Sequence, residues 1–122
     1  MISRKSHQKL LTEIINIPGS LVRSYQSLES IGIILHLEAE KQQATCPRCG
    51  QKSEKLHQNH WHLVKDLPLS SQSVYLRVNR RQFKCQKCQK PFSEELKYVN
   101  LNRSYTKRLA HEIVAQVLDS NI

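Results

Sequence analysis

Cys46-Pro47-Arg48-Cys49-Gly50 and Cys85-Gln86-Lys87-Cys88 hold the only four cysteines of this 122-residue chain. Each pair has C-x-x-C spacing, and 35 residues, 50–84, separate the two pairs. Two sulfurs on one tight turn reach a single ion. Two such turns supply the four thiolates of a tetrahedral Zn²⁺ site with Zn–S bonds of ~2.3 Å. Gly50 stands where the chain turns back on itself, a place that favours positive φ. The spacer exceeds the ~15–20 residues of a compact site, so the stretch between the pairs is expected to be a folded β insert that the metal closes. Other chemistries compete. Two disulfides need an oxidising compartment, and the start, Met1 to His7, has no apolar run of a secretory signal. A redox C-x-x-C usually stands alone. An iron–sulfur cluster takes the same four thiolates and stays open beside zinc.

The charge is concentrated on the same stretch. The chain carries +9 overall, and residues 46–103 hold twelve Lys/Arg against four Asp/Glu, or +8. Residues 1–45 contribute +1 and residues 104–122 nothing. A basic excess built on a metal scaffold points to a polyanion, most simply DNA. No stretch approaches the ~18 apolar residues of a membrane span, and a cytoplasmic, nucleoid-associated protein is expected.

The pattern outside the cysteines predicts an α+β chain in three parts: an N-terminal helix and β-hairpin over 1–44, a four-cysteine zinc-binding β module over 45–96, and a C-terminal helix over 97–122. Leu10, Leu11, Ile14 and Ile15 give residues 6–16 the spacing of a short amphipathic helix, with Ser6 as its cap and Pro18-Gly19 as its end. Strands follow over 21–28 and 31–39, joined at Glu29-Ser30, with Ile31, Ile33, Leu35 and Leu37 on one face. Within the insert, Trp61 to Leu67 reads as a strand, and Pro68 and Ser70-Ser71 as a turn. Ser73 to Lys84 reads as the strongest strand, with a bulge near Arg80 where the alternation changes phase. Val74, Leu76 and Val78 form its apolar face. Tyr75, Arg77, Asn79 and Arg81 form a basic, partly aromatic face suited to phosphate. Lys84, Lys87 and Lys90 bracket the second cysteine pair, where cations also favour the thiolate. Residues 104–119 predict a helix capped by Ser104, with Leu109, Ile113, Val114, Val117 and Leu118 in a wide apolar stripe that calls for a partner. The histidines at 57, 60 and 62 are not expected as ligands, because four cysteines complete a tetrahedral site; His57 or His62 is a candidate to contact phosphate or orient a neighbour.

Thr45-Cys-Pro-Arg-Cys-Gly50, His57, Asp66-Leu67-Pro68, the run from Val74 to Cys85 with its Arg-Arg-x-Phe-x-Cys end, Cys88, and Pro91-Phe92-Ser93-Glu94 together carry a resemblance. They resemble the N-terminal zinc-finger region of ISL3-family transposases, the group that includes IS204, IS1001, IS1096 and IS1165. The resemblance extends over about residues 15–118. It implies a zinc-ribbon-like fold, Zn²⁺ on Cys46, Cys49, Cys85 and Cys88, and recognition of element-end DNA. It also implies that the C-terminal helix packs against downstream helices of a full-length transposase; the apolar stripe by itself leaves three partners open, namely the domain itself, a second copy of this chain, or such a downstream segment. In the family a helix-turn-helix and a catalytic domain with three metal-binding carboxylates follow. Here the sequence runs to Ile122, and its only aspartates are Asp66 and Asp119. Asp66 falls in the family's structural Asp-Leu-Pro turn, so no strand transfer is expected of this chain alone. The expected function is a zinc-stabilised DNA-binding module. Its expected contacts are Arg77, Arg80, Arg81, Lys84, Lys87 and Lys90. The alternatives are a protein-interaction module, or a fragment of a full-length enzyme.

Overall fold

The computed structural model describes residues 4–120. Helix α1 spans Arg4–Ile15, so Ser6 lies inside the helix and not at its cap. Asn16 and Gly19, both at positive φ, reverse the chain after it. Two strands follow, β1 (Ser20–Leu28) and β2 (Gly32–Ala39), paired antiparallel. Thr12 on α1 accepts a hydrogen bond from the Val22 amide at 2.8 Å and fixes the helix on β1. Ile31, expected on the inner face of the second strand, instead sits in the turn and is exposed. Ser30 takes the left-handed conformation there, which displaces the strand start to Gly32.

The chain then builds the cysteine module through β3 (Ala44–Thr45), β4 (Lys52–Ser53) and β5 (Leu56–Gln58). It returns as the long hairpin β6 (Trp61–Leu69) and β7 (Gln72–Asn79). The expected turn at Ser70-Ser71 is present, with both residues at positive φ. Pro68 is not part of it. Pro68 lies near the end of β6, where the register slips between Asp66 and Leu69, and a strand irregularity tolerates its missing N–H. The single strand expected over 73–84 is broken. β7 ends at Asn79, Arg80 and Arg81 turn away, and β8 (Gln82–Lys84) begins a separate three-stranded sheet with β5 and β9 (Pro91–Ser93). The phase change in the sequence marks that break: Val74, Leu76 and Val78 enter one core, and Phe83 the other.

The main sheet has the order β1-β2-β7-β6, with β2 and β7 parallel and the other pairs antiparallel. It therefore crosses the 44/45 boundary drawn from the sequence, uniting the N-terminal hairpin with the insert. Gly32 makes the join possible. A Cβ there would stand 2.2 Å from the Ser73 carbonyl oxygen, and its φ is +136°. Val22, Leu35, Leu37, Val64, Val74, Leu76 and Val78, with Ile15, Ile17 and Val99, form the main core. Cys46, Phe83, Cys85 and Phe92 form a second, smaller one.

Residues 104–106 seal the outer edge of β6. The Lys65 amide donates to the Ser104 carbonyl at 2.8 Å, and the Thr106 amide to the Lys65 carbonyl at 2.9 Å. Helix α2 (Lys107–Ser120) starts from this edge. Its cap is Thr106, whose Oγ1 accepts from the Leu109 amide at 3.3 Å; Ser104 is held in the strand pairing. Only the first turn of α2 docks. Leu109 is buried, whereas Ile113, Val114, Val117 and Leu118 are each more than half exposed.

Candidate functional site

The two cysteine turns are built alike. In the first, the Cys46 amide donates to the Gln51 carbonyl at 2.9 Å and the Gly50 amide to the Cys46 carbonyl at 2.9 Å. In the second, the Cys85 amide donates to the Lys90 carbonyl at 3.0 Å and the Gln89 amide to the Cys85 carbonyl at 2.8 Å. Gly50 has φ +76° and Gln89 has φ +60°, so each turn reverses through a left-handed residue four positions after its first cysteine. The sequence announces this at Gly50 and conceals it at Gln89.

The turns face each other and bring all four sulfurs within 4.8 Å of one another. A tetrahedron with metal–sulfur bonds of ~2.3 Å has sulfur–sulfur edges of ~3.8 Å, so the cluster is the right size for such an ion. All four thiols are free. The closest hydrogen-bonded pair, Cys49 and Cys85, has sulfurs 3.5 Å apart, well beyond a disulfide bond of ~2.05 Å. The Cys88 amide points at Cys85 Sγ at 3.3 Å. Burial pushes the Cys46 thiol up, but the amides of Cys49 and Arg48 outweigh it and bring it down to about 6; for Cys49 the Gln51 amide lowers the value, but burial and the other three thiols outweigh it and push it up to about 11, so the thiols share their protons as a set. Amides aimed at sulfur favour the thiolate, the form that ligates metal. The donor set and the spacing fit Zn²⁺ on Cys46, Cys49, Cys85 and Cys88. Arg48 contributes unannounced: its Nη2 donates to the carbonyls of Lys90 and Pro91, at 3.1 and 3.2 Å, and pins one turn to the other. Among the described residues, the only metal-competent grouping is these cysteines. His57, His60 and His62 stand outside it.

The six cations expected at the surface separate into different roles. Arg81 is occupied internally. Its side chain is 11% exposed, its Nε lies 2.7 Å from Glu94 Oε2, and Nη2 reaches Glu94 Oε1 and the Lys41 carbonyl, both at 3.0 Å. That guanidinium clamps the cysteine module to the strand it leaves and cannot also hold a phosphate. Arg80 keeps one bond, from Nη1 to the Glu94 carbonyl at 3.3 Å, and faces a cleft with His60 and His62. Arg77 lies over the Trp61 ring, 4.4 Å from its centroid, in a groove of about 520 Å³ between the main sheet and the cysteine module. Lys87 and Lys90 are exposed on the second cysteine turn, and Lys84 is half-buried beside it.

The Asp-Leu-Pro segment has a structural role. Asp66 is 1% exposed and accepts hydrogen bonds from Thr106 Oγ1 at 2.7 Å and Arg108 Nε at 2.8 Å, with Arg108 Nη2 closing a bidentate pair on its second oxygen. Arg108 Nη1 also donates to the Ile15 carbonyl at 2.8 Å. One carboxylate thus joins β6, the start of α2 and the end of α1.

Residues 42–88 match the zinc-finger of transposase IS204/IS1001/IS1096/IS1165. The chain is also similar to the transposase for insertion sequence element IS1001 of Bordetella parapertussis. The two are 28% identical over 88 residues, which cover 72% of this chain and 22% of the relative. This chain therefore spans about a fifth of that transposase's length. No solved structure matches it. The four converging thiols all lie inside this matched segment, residues 42–88, which is similar to the zinc-finger of those transposases.

Proposed function

We propose that this chain is a zinc-stabilised DNA-binding module that recognises the ends of an insertion element and performs no strand transfer itself. The observation that carries this reading is the four-thiol cluster set within a basic surface, inside the segment that matches a transposase zinc-finger. Zn²⁺ on Cys46, Cys49, Cys85 and Cys88 would act as a structural cross-link between the two turns. The basic groups available to the duplex are Arg77, Arg80, Lys84, Lys87 and Lys90, with Arg81 withdrawn into its clamp. A DNA-bound module of this kind belongs in the bacterial cytoplasm, at the nucleoid.

The test is binding of the zinc-loaded chain to DNA ends from its own genomic neighbourhood, with random duplex as the control, across a salt series. Five phosphate contacts give a log–log slope of about −4.5, at ~0.9 counterion each. Arg77→Ala should lower the slope by about 0.9. Arg81→Ala should leave the slope alone and lower stability instead. Absence of binding at low salt would reject the reading.

A second reading has its own observation. The stripe Ile113, Val114, Val117 and Leu118 on α2 is open to solvent. A second copy of this chain, or further helices of a full-length transposase, would cover it and make α2 the assembly element beside the DNA-binding surface.

A further inference from the structure

A cleft of about 260 Å³ opens at the open end of the β6–β7 hairpin, where the main sheet meets the sheet of the cysteine module. His62 lines it from β6, His60 from the link just before β6, Arg80 from the link between β7 and β8, Gln82 from β8, Ser93 from β9, and Arg103 from the loop before α2. No carboxylate lines it. The larger groove differs in holding Glu38 and Glu54 among its walls.

The cleft is put together from parts distant in sequence. The Arg80 amide donates to the His60 carbonyl at 2.9 Å, and the His60 amide to Asn79 Oδ1 at 2.9 Å, which fixes the floor. Asn102 takes φ +64° and turns Arg103 into place. The Arg103 guanidinium makes no hydrogen bond or ion pair with the described residues. His62 Nδ1 is buried and likewise unpaired. The imidazoles of His60 and His62 lie 6.0 Å apart, centroid to centroid. Two guanidiniums, two imidazoles, an amide and a hydroxyl around one opening, with an orphaned nitrogen, make a site short of an acceptor. A tetrahedral oxyanion supplies what it lacks.

We infer that this cleft holds one backbone phosphate of the bound DNA, seated between Arg80 and Arg103 with His60 and His62 at its sides. The inference rests on the DNA-binding reading above and adds to it a contact made by none of the residues of the two cysteine turns. It also gives binding a pH dependence. Burial holds the His62 imidazole below its ordinary value; a hydrogen bond with the His60 backbone opposes this, and the charges of Arg80 and His60 repel its proton and add to the lowering. The groups facing His62 across the cleft are Arg80, His60, Gln82, Ser93 and Arg103. A phosphate among them would reverse that repulsion, so binding takes up a proton and tightens as pH falls.

The experiment uses the zinc-loaded full chain and a short duplex of element-end DNA, with inorganic phosphate as a separate probe. Affinity and salt slope are measured at pH 6.0 and 7.5 for the wild type, Arg103→Gln and Lys9→Gln. Histidine ring resonances are followed by NMR. Arg103→Gln should weaken binding about fivefold to tenfold and reduce the slope by about 0.9, while Lys9→Gln, on α1, changes neither. DNA should move the His60 and His62 ring signals, and wild-type affinity should rise several-fold from pH 7.5 to 6.0. One pKa unit gained on binding corresponds to at most tenfold. DNA bound with unchanged strength by Arg103→Gln, or unmoved ring signals, overturns this inference and leaves DNA binding standing. Ring signals that respond to inorganic phosphate and not to DNA assign the cleft to a free anion and overturn it too. A wild type that binds no DNA overturns the parent reading.

Discussion

Asp66 has a carboxylate with no access to water and three donors from two side chains. Burial alone would raise its pKa. The hydrogen bonds from Arg108 and Thr106, with the Leu67 amide, outweigh that and hold it below the ordinary carboxylate range. Its folded value is therefore depressed, so its contribution to stability is complete above the unfolded value of ~3.9 and fades as pH falls through the folded one. Asp66→Asn keeps the shape and removes the charge. Breaking a buried pair costs ~3–5 kcal/mol. Because the Arg108 side chain is 37% exposed and partly solvated, the loss here should be nearer ~2–3 kcal/mol. Denaturant unfolding at pH 7 checks the size, and repetition near pH 3 should show the gap between wild type and variant closing. A gap that stays constant with pH would contradict the assignment. Gly50 and Gln89 offer a paired test at the same scale. They hold the same left-handed position in two equivalent turns. A non-glycine residue there costs roughly 1–2 kcal/mol, and glycine gives back ~0.5–1 of it through its freer unfolded chain. Nothing lies within 4 Å of a Cβ placed on Gly50, so Gly50→Ala should lose about 0.5–1 kcal/mol from conformation alone. Gln89→Gly should gain about 0.5 kcal/mol in the same unfolding assay.

Among the elements, α2 is the one whose sequence and placement disagree. Its apolar row spans four turns, yet only Leu109 in the first turn is buried. Each large side chain left in water forgoes roughly 1.5–3 kcal/mol of burial, so the proposed association through the remaining stripe would recover free energy. Ile113→Glu should convert an associated form to monomer in sedimentation velocity without changing the fold seen by circular dichroism. A wild type that remains monomeric at high concentration would reject self-association through this helix. The elements themselves were largely legible: both helices, the N-terminal hairpin and the β6–β7 hairpin follow from periodicity and from turn residues. The inward faces of β2 and β7 were legible too, because alternation of Leu35, Leu37, Val74, Leu76 and Val78 is local information. The parallel pairing of β2 with β7 was not, since it depends on residues about forty apart meeting through the cysteine module. Nor was the fate of Arg81. Its partner Glu94 lies thirteen residues away, and in the sequence its position on a strand face looks the same as that of Arg77. The four cysteines were legible because ligand spacing is a short-range signature. The histidine cleft was not, because its members come from four separate stretches.

At the scale of the whole molecule, two cores of different kinds share one chain. The main core is a set of aliphatic side chains under a four-stranded sheet. The second has two phenylalanines and the buried cysteines, with Phe83 and Phe92 stacked 6.1 Å apart. So small a cluster does not offset the entropy of ordering its strands, and a metal cross-link is what such a module needs. Structural zinc supplies ~10–16 kcal/mol of apparent free energy near neutral pH. The connection between the cores is narrow: the Arg81 clamp to Glu94 and Lys41, and the strand links on either side. Removing the metal should therefore unfold one core and spare the other. With a strong chelator, amides of residues 44–58 and 82–93 should lose protection from hydrogen exchange, while those of β1, β2, β6 and β7 remain slow. Cys85→Ser should reproduce the pattern without chelator. Unfolding of the sheet together with the cysteine module would show that the two cores form a single cooperative unit. Full protection after chelation, or purified protein with no zinc and an intact module, would show that the thiols hold the fold without a metal.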